Sequence, residues 1–134
     1  MKRYTYARVI QAALIGIAIT GSATLARADV KDYEFQLVDK TVKKGDAIIS
    51  VRLIHKPDGK PVPEAVIFAT RLDMAPDGMQ EMATKVTSMP GAEPGVYRFK
   101  ANLTMAGGWQ LSLGAKVQGE TGTVENKLVL KATP

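Results

Sequence analysis

The chain has 134 residues, no cysteine and one histidine, with 18 basic against 13 acidic side chains and a formal net charge of +5. Without cysteine it forms neither disulfides nor thiolate metal sites. One histidine, no G-x-S-x-G elbow and no phosphate-cradling or dinucleotide loop exclude the common catalytic classes, so we expect no enzyme.

The first predicted element is a leader. Lys2, Arg3 and Arg8 open it, Val9 to Leu25 is apolar or small, and Ala26-Arg27-Ala28 forms a cleavage box before Asp29. This is the pattern of a secretory signal peptide over residues 1–28. Gly16, Gly21 and Ser22 dilute the apolar run below that of a spanning helix, and an uncleaved membrane anchor is the alternative. Export to the periplasm follows from cleavage. Four of the basic residues and none of the acidic ones lie in the leader, which leaves 14 against 13 in residues 29–134. The excess charge therefore serves targeting, and no nucleic-acid partner is expected.

Residues 29–134 are long enough for one small domain with its own core. Their apolar residues alternate with polar ones, which is the strand period. Tyr33, Phe35 and Leu37 share one face. Ala47, Ile49, Val51, Leu53 and His55 share the next. A third strand is predicted to turn Val66, Phe68, Leu72 and Met74 inward, and a short one covers Ala83 to Ser88. Tyr97, Phe99, Ala101 and Leu103 alternate with Arg98, Lys100 and Asn102. Trp109, Leu111, Leu113, Ala115 and Val117 face inward, as do Val124, Leu128 and Leu130 in a last strand over Thr123 to Lys131. Gly- and Pro-containing turns separate these runs. The pattern predicts an all-β, immunoglobulin-like antiparallel sandwich of about seven strands.

One stretch resists that plan. Arg71 to Met82, RLDMAPDGMQEM, places Met74, Met79 and Met82 around a Pro76/Gly78 break. Read as a loop, it could turn three sulfurs toward one point. Thioethers are soft, neutral donors that favour Cu(I) or Ag(I). Met105 precedes Trp109 across a Gly-Gly turn, and an indole face can cap a monovalent cation. His55 is the only imidazole. Met74, Met79, Met82, Met105, His55 and Trp109 are therefore the candidate ligand set. The competing reading is packing. Methionine fills irregular gaps, Trp109 suits the centre of a core, and His55 suits a strand edge. Asp73, Asp77 and Glu81 do not have the spacing of a calcium loop.

Three segments carry a family resemblance: Arg71 to Met79, Pro94 to Phe99 and Met105 to Leu113. With their order and spacing, most of Asp46 to Lys131 resembles the FixH/YtkA-like family of exported bacterial proteins. The resemblance implies an immunoglobulin-like fold and a role beside copper and silver efflux systems. It also implies partners among the membrane components of an efflux system or cation pump. In the founding branch the role is assembly of a terminal cytochrome oxidase, from a membrane-anchored N-terminus; the cleavable leader here departs from that branch. Two functions stay open: a soft-metal accessory using the methionine segment, or an interaction module that binds no metal and docks on a pump or efflux adaptor.

Overall fold

The computed structural model describes residues 30–91 and 93–134. The leader predicted over residues 1–28 lies outside them. Among the described residues no helix is long and apolar enough to cross a membrane. The described residues form ten strands: β1 (Tyr33–Leu37), β2 (Thr41–Lys43), β3 (Gly45–His55), β4 (Lys60–Pro61), β5 (Val66–Met74), β6 (Met79–Thr84), β7 (Val86–Met89), β8 (Val96–Leu103), β9 (Gly107–Lys116) and β10 (Val124–Thr133). They form two sheets, β1-β3-β8-β7 with β4 beside β3, and β2-β10-β9-β5-β6.

The fold is an all-β, immunoglobulin-like sandwich. Alternation produces it directly, because each sheet offers one oily face and buries it against the other. Phe35, Ile49, Val51, Leu53, Phe99 and Leu103 meet Leu72, Trp109, Leu111, Leu113 and Leu130, all nearly inaccessible to water. Each such side chain contributes about 1.5–3 kcal/mol by leaving water.

The strand count exceeds seven because edge elements are split. After β1 the chain crosses to the other sheet and continues as β2, which pairs with β10 in parallel, while the other strand pairs among the described residues are antiparallel. The short strand predicted over Ala83 to Ser88 is two strands. β6 belongs to one sheet and β7 to the other, with Lys85 between them.

Two local expectations fail. Val66 and Phe68 do not face inward; they are 64% and 56% exposed. The register of β5 against β9 shifts between Ile67 and Ala69, so Phe68 is an extra residue and the alternation slips. Nor is the methionine segment a loop. Met79 and Met82 lie within β6, which folds back on β5 with Met79 opposite Met74, and only Ala75 to Gly78 turns. Gly78 takes φ 76°, a conformation that glycine adopts without a side-chain clash.

Strand direction fixes which residues can meet. Gly45 stands opposite Leu103, and Arg52 opposite Val96. One end of the sandwich therefore holds Leu103, Met105, Gly107 and the β5–β6 turn. The other holds His55, which lies opposite Tyr33 on one side and Lys60 on the other.

Candidate functional site

The methionine end is built from two segments distant in sequence. The first is the β5–β6 hairpin. Asp73, 4% exposed, anchors its turn by accepting from the Ala75 amide at 3.0 Å and from Arg71 Nε at 2.7 Å. Arg71 also donates to the Gln80 carbonyl at 2.8 Å, tying the two strands together. The second is the β8–β9 connection. Asp77 accepts from the Gly108 amide at 3.1 Å and so pins the turn to β9. The two backbones approach closely here. A β-carbon at Gly107 would lie 2.4 Å from Asp77 Oδ2 and 2.9 Å from the Met74 methyl; at Gly108 it would lie 3.0 Å from Pro76. Gly107, at φ 139°, leaves no room for a side chain unless Asp77 and Met74 shift, and Gly108 leaves a tight fit against Pro76.

The sequence candidates divide accordingly. Met74 is fully buried behind Gly107. Met79, its cross-strand partner, is half-buried against the core, as is Met82 farther along β6. Met105, in the connection before Gly107, is 41% exposed. Trp109 has no exposed surface, and its indole N–H donates to the Met105 carbonyl at 3.0 Å. It is a core residue that braces the Met105 turn, and its face is closed to an ion arriving from solvent.

His55 does not join this group. An eleven-residue strand separates it from Gly45 at the methionine end, roughly 30 Å at the usual strand rise. It belongs to a polar closure instead. Its Nδ1 lies 3.1 Å from Asp58 Oδ1, and its ring centroid is 5.0 Å from that of Tyr33. The Lys60 amide, first, and His55 hold the Asp58 carboxyl below its ordinary range. Burial, then the hydrogen bond to Glu120 at 3.0 Å, pushes the Tyr33 phenol up. Among the described residues no three His, Cys, Asp or Glu side chains are grouped to hold a metal ion.

Asn126 makes a further, part-buried polar contact that the candidate set lacks. It stands at an inward position between Val124 and Leu128, and its side chain accepts from the Phe35 amide at 2.8 Å. It thus joins β10 of one sheet to β1 of the other. A lone polar residue in an oily parity row was the available signal.

Two solved structures show a distant similarity. The "Crystal structure of the Lin-41 filamin domain" is 17% identical, with a TM-score of 0.43 over 76% of this chain and 92% of that one. The "ZirS C-terminal Domain" is 11% identical, with a TM-score of 0.45 over 100% of this chain and 80% of that one. No curated protein matches significantly. The YtkA-like family profile matches residues 27–114, across β1 to most of β9 and both glycines under the turn, and the chain belongs to the YtkA-like family.

Proposed function

We propose that the protein is an exported, non-catalytic accessory of copper and silver handling, whose soft-donor face is the end formed by Met74, Met79 and Met105. The observation that carries this reading is the approach of the Met74 methyl, in the β5–β6 hairpin beside Met79, to Gly107, two residues after Met105 in the β8–β9 connection. Thioethers select Cu(I) and Ag(I) over hard cations and do not oxidise to disulfides outside the cytoplasm. Met79 and Met105 are the accessible donors, Met74 backs them, and Met82 lies on the same hairpin.

Silver titration tests this. Methionine does not titrate, so stoichiometric binding should be equal at about pH 5.5 and about pH 7.5, where an imidazole ligand would change its charge. His55→Ala should bind as the wild type does. Met79→Leu/Met105→Leu keeps apolar volume while removing two sulfurs, and should lose binding. Equal binding by that double variant would overturn the assignment. N-terminal sequencing of exported material should begin at Asp29; a start at Met1 with membrane association would mean an anchor.

A second reading rests on two facts, the complete burial of Met74 and Trp109 and, toward the other end of β5, the exposure of Phe68 and Val66. In it the domain binds no metal and docks on a membrane cation pump or efflux adaptor, in the manner of an assembly factor. Absence of silver binding by the wild type would favour it.

A further inference from the structure

The outer face of the β2-β10-β9-β5-β6 sheet carries a trough of about 460 Å³ that begins at Arg71, and Phe68, Arg71, Ser112, Gly114, Glu125 and Lys127 line it. The floor is low because β9 presents Ser112 and Gly114 there. Phe68, the extra residue of the β5 bulge, lies over Gly114: a β-carbon at Gly114 would be 3.3 Å from its ring. The ring is nevertheless 56% exposed.

Charge is arranged in rows across this floor. Arg71 and Lys127 stand opposite Ser112 from either side. Their backbones are two strand spacings apart, about 10 Å. Arg71 is pinned by Asp73 and the Gln80 carbonyl, so its cation is fixed in place. Lys127 is exposed. Glu125 and Ala69 flank Gly114 in the next row. Lys43, Lys116 and Lys131 are also exposed in strands of this sheet, against Glu81 in β6, while Asp73 is buried against Arg71. The face is therefore cationic on balance, with an aromatic surface beside its cationic row. Pockets of this volume accept small ligands, and a few placed charges set their orientation.

We propose that this trough binds a small apolar carboxylate. The apolar body covers Phe68 and Gly114, and the carboxylate lies over Ser112 between Lys127 and Arg71. Glu125 sets the direction by repelling the anion from the Gly114 row. The site is independent of any metal at the methionine end.

Amide NMR with 3-phenylpropionate tests the proposal, with 3-phenylpropanol as the uncharged analogue. The acid should give saturable shifts at Ser112, Gly114 and Lys127, and the alcohol should bind about fivefold more weakly. Lys127→Met should bring the acid down to the alcohol's affinity, and Phe68→Ser should weaken both. Each changes an exposed side chain, and unchanged shifts across the opposite sheet confirm folding. Equal affinity for acid and alcohol would overturn the proposal and leave a general apolar patch suited to protein docking. Absence of saturable shifts at Ser112 and Gly114 would overturn it outright, as would full affinity for the acid in Lys127→Met.

Discussion

At one end of the sandwich Trp109, Met74 and the Ala75–Asp77 turn seal the core against a pair of glycines. At the other, Tyr33, His55, Asp58 and Tyr97 close it with ring contacts and hydrogen bonds. The first closure works by fit and the second by polar pairing. Fit is sensitive to single atoms, because a packed interior has no spare volume. Polar pairs near the surface exchange protein partners for water at small net gain. The difference predicts a gradient of mutational cost from one end to the other.

Four substitutions measure that gradient by urea unfolding. Trp109→Ala should be the most damaging, at about 3–5 kcal/mol, because it empties a fully buried site and frees the Met105 turn. A cost comparable to His55→Ala would collapse the contrast. Gly107→Ala should follow at about 1–3 kcal/mol, since its β-carbon meets Asp77 and Met74 at a φ of 139°. A neutral result would mean that the turn is not pressed onto β9.

The polar end should give less. Tyr97 accepts from the Ala65 amide at 3.0 Å and donates to the Val62 carbonyl at 2.7 Å, so Tyr97→Phe should cost about 1–2 kcal/mol. Burial raises the Tyr97 phenol above its ordinary pKa. The unfolded chain therefore ionises first. The phenol's contribution is complete below about pH 10 and is lost as pH rises through the folded value. As pH rises above about 10, Tyr97→Phe should lose less stability than the wild type, with Tyr33 supplying a remainder of the same sign. Identical slopes would remove Tyr97 as the cause. His55→Ala should have the smallest effect, under about 1 kcal/mol, because its ring is partly exposed and pairs with an exposed carboxylate. A larger loss would show that the polar closure matters as much as the packed one.

Much of this was legible in the chain itself. The parity rows of β1, β3, β8 and β9 sort core from surface because period two has a single solution for a half-buried strand. Phe68 was misplaced because one extra residue in a strand reverses the faces before it, and nothing in Ile67-Phe68-Ala69 marks a bulge. The methionine segment read as a loop because Pro76 and Gly78 punctuate it; the pairing that makes Met79 part of a strand comes from β5, not from local propensity. His55 was grouped with the methionines by chemistry alone. Only strand direction separates them, and direction follows from which strands pair. Asn126 was hidden in the same way, since its partner Phe35 lies in the first strand of the other sheet.

The parallel pairing of β2 with β10 ties one of the first strands to the last, with Thr41 opposite Lys131. Nearly the whole domain lies between those partners. Closing so long a span has an entropic cost that must be met before the contact gives anything back, and folds dominated by such pairings fold on the scale of milliseconds to seconds. Until β10 arrives, β9 has an open edge and Phe35 has no Asn126 to satisfy its amide. A nascent or translocating chain would spend that interval with a sticky, incomplete sheet, and removal of the last ten residues would make the interval permanent.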